Sequence, residues 1–336
     1  MFSCFYESME LSIIIVHYKQ EEFLKRCLAT IFASGIKDDF EVIVVDNSSV
    51  GNNDRCSLSA IGGSGNGMDV WIKKNYPGKV LFIQAGTNLG YGKGNNLGFL
   101  HSQGEYILIS NADIEYLPSI PSLERRGGKR ESISSLERRG GKRESISSLE
   151  RRGGQGFFLP LSKGEIKRGS IQKMLDYLKQ HSEVGVLGPQ LIYPDGTVQD
   201  SYRRFVGVMD WLIKRLRFLH RLSWFKKRMV HYLMWDLDRE KVQPVDWLVG
   251  ACLMIPRQVY QKTGGFDPRY FLLVEDMDFC RSARKGGYEV VYFPEVKLKH
   301  NHQRLSGGSF WQALNHKMSW IHLHSLLKYF WKWKWF

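Results

Sequence analysis

Hydrophobic positions in this chain follow two rhythms. Leu11 to Val16 is an isoleucine-rich run, apolar but for Ser12, that ends in His17-Tyr18-Lys19, the pattern of a strand buried on both faces. Glu21 to Phe32 then sets Phe23, Leu24, Cys27, Leu28 and Ile31 at helical spacing, and Gly35 stops it. Glu41 to Val45, apolar after its first residue, reads as a second strand and ends in Asp46-Asn47-Ser48-Ser49. Strand, helix and strand in close succession predict a βαβ unit, where ligands bind at the carboxyl ends of the strands, so Asp46 falls where a nucleotide would sit. Further strands are expected at Val80–Gln84, from Tyr106 onward, at Val184–Tyr193 and at Glu289–Phe293. Helices are expected at Ile171–Gln180, from Glu275 to a close over Ser282–Gly287, and in the tail, where Trp311, Leu314, Met318 and Ile321 share a face. Residues 51–69, rich in Gly, Asn and Ser, read as a loop.

Chemistry gathers at the ends of these elements. Tyr106 to Glu115 opens with a short apolar run and ends in Asn111, Asp113 and Glu115, so a buried element delivers oxygen ligands to an edge. Magnesium and manganese favour such ligands and are commonly held by one or two carboxylates together with substrate phosphates. Asp113 is the first candidate; the competing reading is an ordinary Asn/Asp turn after a strand. Asn88 to Gly98, NLGYGKGNNLG, is a glycine-rich turn able to bring backbone N–H groups and Lys93 near phosphate, although its spacing matches no standard phosphate loop. Glu275-Asp276-Met277-Asp278 places three acids in four residues after an apolar segment, which is costly unless they bind a cation or move protons. A helix N-terminus that favours negative charge is the plainer explanation. Val245 to Ile255 is apolar around Trp247 and Gly250, and His300 and His302 follow the last strand.

Composition narrows the setting. With 43% hydrophobic residues the chain is globular, and 48 basic against 34 acidic residues give a formal charge of +14 and imply an anionic partner. Ser122 to Ser134, SLERRGGKRESIS, is repeated letter for letter from Ser135 to Ser147, and Ser148 to Gly154 begins a third copy. The units hold too few apolar residues for a solenoid and are expected to be a solvated, disordered insertion. Their charge is a substantial part of the excess, which weakens any argument for nucleic acid as the partner. Arg203 to Tyr232 mixes arginine and lysine with Trp211, Leu212 and Trp224, and the chain ends Trp331-Lys332-Trp333-Lys334-Trp335-Phe336; both suit the plane of an anionic membrane. Five cysteines, Cys4, Cys27, Cys56, Cys252 and Cys280, lack zinc spacing and fit a reducing, cytoplasmic compartment. No secretory signal is evident and no apolar run approaches the ~20 residues of a membrane span; residues 1–10 read as an N-terminal extension, and a natural start at Met9 is an alternative that makes residues 1–8 unstructured.

Seven segments in order resemble family-2 glycosyltransferases of the GT-A fold, nearest to rhamnosyltransferase-like members: LSIIIVHYKQEEFLKRCLATI, EVIVVDNSS, NLGYGKGNNLG, YILISNADIE, VDWLVGACLMI, GGFDPRYFLLVEDMDFCRSARKGGYEVVYFPE and HNHQ. The resemblance implies an α/β, Rossmann-like, mostly parallel sheet flanked by helices over residues 11–305, interrupted at 122–154, with a basic, aromatic C-terminal helix at 306–336. It implies donor contacts from Asp46, Asn88, Gly90, Asn96 and Asn111, and a divalent cation, magnesium or manganese, on Asp113 with His300 nearby. It further implies Asp276 as general base beside Glu275, and Trp247 and Gly250 on the sugar or acceptor side. Two departures fall in the site: His17-Tyr18-Lys19 where Asn-Tyr-Asn is common, and Ala112 where proline is common.

The expected activity is metal-assisted transfer of a sugar, rhamnose among the candidates, from a nucleotide-diphosphate donor to a hydroxyl of a glycan or lipid-linked saccharide at the inner membrane face. Proton removal by one carboxylate without an enzyme-bound sugar predicts inversion. The rival expectation is an impaired relative of the same fold serving as a basic module that binds membrane or nucleic acid.

Overall fold

The computed structural model describes residues 9–48, 67–116, 169–207, 223–301 and 317–334. The repeat and His302 lie outside them, as do Trp211, Leu212, Trp311 and Leu314. The apolar run Leu11–His17 forms β1, followed by α1 (Glu21–Phe32) and β2 (Phe40–Asp46). Next come α2 (Gly67–Asn75), β3 (Val80–Gln84), α3 (Tyr91–Leu100), β4 (Tyr106–Asn111) and β5 (Ile114–Glu115). After the insertion the chain runs through α4 (Ser170–Gln180), β6 (Val184–Ile192), β7 (Tyr202–Arg203), α5 (Ser223–Tyr232), β8 (Gln243–Pro244) and β9 (Trp247–Leu248). It closes with β10 (Cys252–Pro256), α6 (Arg257–Thr263), α7 (Glu275–Lys285), β11 (Glu289–His300) and α8 (Lys317–Lys332).

Among the described residues nine strands form one sheet in the order β3-β2-β1-β4-β10-β6-β11-β5, with β8 also on β11. The first four run parallel, β10 is reversed, and β6 and β11 are again parallel to each other. Alternation along each strand divides the core. Ile13 and Ile15 face α1, α2 and α4, whereas Ile14, Ile107 and Ile109 face the layer holding α6, α7 and α8.

Two expectations need correction. Residues 67–69 belong to helix α2 rather than to a loop, because Met68 and Ile72 bury against the sheet. The glycine-rich turn is helical from Tyr91 onward. Its glycines serve close packing: a Cβ at Gly98 would come within 2.4 Å of Ile14 Cγ2, and one at Gly94 within 3.0 Å of Val16 Cγ1. Lys93 points to solvent.

Candidate active site

Strand register brings the expected residues to one edge. His17 ends β1 opposite Asp46 of β2, and Val16 pairs with Asn111 of β4. A cleft of about 640 Å³ opens there, lined by His17, Lys19, Asp46, Ser48 and Met68 among others, a volume ordinary for a small-molecule site. The Asp46 carboxylate is 2% exposed and accepts the Ser48 N–H at 2.8 Å, and the His17 Nε2 lies 4.0 Å from it. Burial pushes His17 below its ordinary pKa, against the pull of Asp46, so the imidazole favours its neutral form.

Asn88 and Gly90 form the entrance to α3. The Asn88 Oδ1 accepts the Gly90 N–H at 2.9 Å, and Asn47 Nδ2 donates to the Gly90 carbonyl at 2.9 Å. Gly90 has φ 83°, and a Cβ there would lie 2.1 Å from the Phe271 carbonyl oxygen, so glycine is required. Asn96 bonds within the fold instead, its Nδ2 donating to Phe266 O at 2.7 Å and its Oδ1 accepting from Tyr260 Oη and Phe266 N. It ties α3 to the segment before α7.

The strand that ends in Asn111 continues through buried Ala112 to Asp113, which is 7% exposed. One carboxylate oxygen of Asp113, Oδ1, is buried without a hydrogen-bond partner and lies 3.4 Å from His300 Nε2. The His300 Nδ1 is 2.8 Å from Gln199 Oε1, and with the ring proton on Nδ1 the Nε2 lone pair would face Asp113. An orphaned carboxylate oxygen beside an imidazole nitrogen fits a hard cation that takes its remaining ligands from phosphate. Among the described residues no group of three or more His, Cys, Asp or Glu is arranged to hold a metal ion.

Asn111 N–H donates to Ala251 O at 2.9 Å, which places Gly250 at the same edge. Gly250 N–H in turn donates to Asp276 Oδ2 at 2.9 Å, and Met277 N–H donates to Oδ1 at 2.8 Å. Tyr91 Oη donates to the Gly250 carbonyl in a short hydrogen bond. A Cβ at Gly250 would sit 3.2 Å from both Asp276 Cβ and Tyr91 Oη, so the glycine lets the acid close on β10. Burial raises the Asp276 carboxyl pKa, opposed by those two N–H groups and by the Arg203 cation. Glu275, 4% exposed with Oε2 unpartnered, is pushed up to about 8 by burial and by the Asp276 charge. The two adjacent acids therefore resist carrying two charges at once, and the pair of N–H donors on Asp276 favours ionisation there over Glu275.

Trp247 Nε1 donates to Arg204 O at 2.9 Å, and the Arg203 guanidinium lies 5.3 Å over the indole ring. Trp247 is thus a shelf for a cation that acts on Asp276. Sequence reasoning missed Arg203, Tyr91 and Gln199 as members of the site. Tyr91 lies within the glycine-rich motif and Arg203 within a basic stretch, whereas a lone Gln199 carries no signal.

Comparison with known proteins places the chain in a family. A family model described as glycosyl transferase family 2 matches residues 12–126, and one described as glycosyltransferase like family 2 matches residues 166–322. The chain belongs to glycosyltransferase family 2. It is 24% identical over 328 residues to an N-acetylglucosaminyl-diphospho-decaprenol L-rhamnosyltransferase of Mycobacterium tuberculosis, covering 93% of this chain and 83% of that protein. A low-salt glycan biosynthesis hexosyltransferase of Haloferax volcanii is 22% identical over 303 residues, covering 87% and 67%. A crystal structure of GalNAc-T7 with UDP, GalNAc and Mn2+ superposes with a TM-score of 0.52 at 13% identity, covering 90% of this chain and 46% of that one. The fold of this glycosyltransferase is accordingly GT-A, as the sequence implied.

The tail differs from expectation. In α8 the buried face is Leu326, Tyr329 and Phe330, and Lys332 and Trp333 turn inward to the body. Trp320, Leu327 and Trp331 carry the exposed side. Among the described residues no helix is long and apolar enough to cross a membrane.

Proposed function

We propose that this glycosyltransferase moves a sugar, rhamnose being the favoured candidate, from a nucleoside diphosphate donor to a hydroxyl of a lipid-linked glycan, with inversion. The observation that carries the proposal is the Asp276 carboxylate, held by the Gly250 and Met277 N–H groups at the edge that also presents Asp46, Asn111 and Asp113. Asp46 and the cleft beside His17 would receive the nucleoside. Asp276 would accept the proton of the acceptor hydroxyl as its oxygen bonds to the anomeric carbon and the donor's bond to diphosphate breaks. Glu275, kept protonated, would leave Asp276 the single charge. Asp113 and His300 would hold a divalent cation, which when bound neutralises charge on the departing diphosphate. Arg203 adds a fixed positive charge near the base.

The lipid-linked acceptor follows from the Mycobacterium relative, whose name specifies a diphospho-decaprenol substrate. It fits the outward stripe of Trp320, Leu327 and Trp331 on α8, since residues 317–336 contain no acidic residue. Such a stripe suits the surface of an anionic bilayer, with the protein peripheral to it. A thermal-shift panel of UDP, dTDP and GDP with and without manganese, on wild type and Asp113→Ala, tests the donor side. A manganese-dependent shift with one nucleotide, lost in the variant, is expected. Silence from every nucleotide, with salt-sensitive vesicle binding retained, would favour a binding module instead.

A further inference from the structure

We infer that the end of α8 is a clamp for the candidate base, with Asp278 as the positioning residue through which Lys332 and Trp333 fix the turn that aims Asp276. The inference rests on the reading of Asp276 as the base.

The turn ahead of α7 is under backbone strain. Leu273 and Val274 have φ of 67° and 83°, two consecutive side-chain-bearing residues in the left-handed region, directly before Glu275 and Asp276. Such a conformation persists only where neighbours over-determine it. One neighbour is α3, whose Tyr91 N–H donates to Phe271 O at 3.0 Å, with the same carbonyl so close to Gly90 that no Cβ would fit there.

The other neighbour is α8, which grips the turn along its length. Lys328 Nζ donates to Arg269 O at 2.7 Å, Ser325 Oγ to Leu272 O at 3.2 Å, and Lys332 Nζ to Asp267 Oδ2 at 3.0 Å. Its last turn then reaches α7 itself. Asp278, 1% exposed, receives Lys332 Nζ at 2.7 Å on Oδ2. Its Oδ1 receives Trp333 Nε1 at 2.7 Å and Tyr270 Oη at 3.2 Å. Arg281, one turn further along α7, bonds Tyr329 Oη at 2.9 Å and lies 4.7 Å over the Trp333 ring.

Asp276 and Asp278 stand two residues apart in the same first helical turn, so they project to different sides. Asp276 faces Gly250 and Asp278 faces α8. The clamp therefore fixes the rotation of the helix start, and with it the direction of the base. Asp278 itself touches no part of the candidate reaction centre. A buried charge with this many partners also makes the contact all-or-none, because removing one partner strands the rest.

Hydrogen exchange on the full chain tests the clamp without substrate. The variants are Trp333→Phe, which removes one N–H and keeps a ring for Arg281, and Lys332→Met, which keeps the aliphatic stem. Peptides covering residues 271–278 should exchange at least about tenfold faster, with β1 to β4 unchanged. In turnover with the sugar nucleotide chosen by the nucleotide panel, kcat should fall about tenfold at unchanged donor KM. The Asp278→Asn/Lys332→Met double variant should lose no more than the worse single one. Wild-type exchange over 271–278, or protection lost evenly across the sheet with kcat per folded molecule intact, would overturn the inference. Asp276→Asn separates the two claims: if it turns over like wild type the base assignment fails, and exchange still reports on the clamp. If it is inactive while the tail variants keep wild-type exchange and kcat, the clamp alone fails.

Discussion

Replacing Glu275 with glutamine should make the protein more stable at high pH and leave it unchanged at low pH. The carboxyl is 4% exposed, one of its oxygens has no partner, and Asp276 is the next residue, so its pKa rises from the ordinary 4.5 to about 8. In the unfolded chain it ionises above about 4.5, while in the folded chain it stays protonated until about 8. The folded state thus binds the extra proton, and stability present below pH 4.5 drains away as the pH climbs to 8. At 1.36 kcal/mol per pKa unit the full gap sets a ceiling of roughly 5 kcal/mol, and titration shared with Asp276 lowers it to about 2–4 kcal/mol. The amide of Glu275→Gln mimics the protonated acid at every pH. At roughly 2 °C per kcal/mol for a chain of this size, the variant's Tm should exceed wild type by about 4–8 °C at pH 8.5. At pH 5 the gap should shrink to about 2 °C or less, as read by thermal unfolding across pH 5 to 9. Curves that stay parallel over that range would refute the argument that Glu275 is held neutral.

Gly90→Ala should lower stability by about 2 kcal/mol or more, measured by urea unfolding, because its Cβ would strike the Phe271 carbonyl at 2.1 Å in a left-handed backbone. Gly250→Ala should fold nearly normally yet reduce kcat by about tenfold in a transfer assay, since the new methyl crowds Asp276 and Tyr91 at 3.2 Å. Gln199→Leu should weaken manganese binding by about tenfold in titration calorimetry with nucleotide present, because the His300 tautomer loses its 2.8 Å partner.

The parallel half of the sheet was legible because β1, β2 and β4 carry short, mostly apolar runs rich in isoleucine and valine, as strands covered on both faces do. Helix α3 was not, since Gly92, Gly94 and Gly98 argue against a helix locally and their reason lies in Phe266, Val16 and Ile14 elsewhere in the chain. Helix α2 follows a Gly- and Asn-rich segment and buries little beyond Met68 and Ile72, too few positions to establish a period. Of the site, Asp46, Asp113 and the acids at 275–278 were visible as charges at the ends of apolar runs. Gln199 and Arg203 were not, because a contact made through another side chain leaves no spacing pattern. Asp278 was visible as an acid, but its partners Lys332 and Trp333 come from the far end of the chain.

The central claim, that Asp276 takes the acceptor's proton in a sugar transfer, is tested most directly by Asp276→Asn under saturating sugar nucleotide and a polyprenol-diphosphate-linked acceptor. The asparagine keeps the size and can still accept one of the two N–H groups, from Gly250 or from Met277, and it loses the basicity. The account predicts a kcat lower by about 10²–10⁴-fold with the nucleotide-induced thermal shift intact. Transfer at the wild-type rate would contradict it.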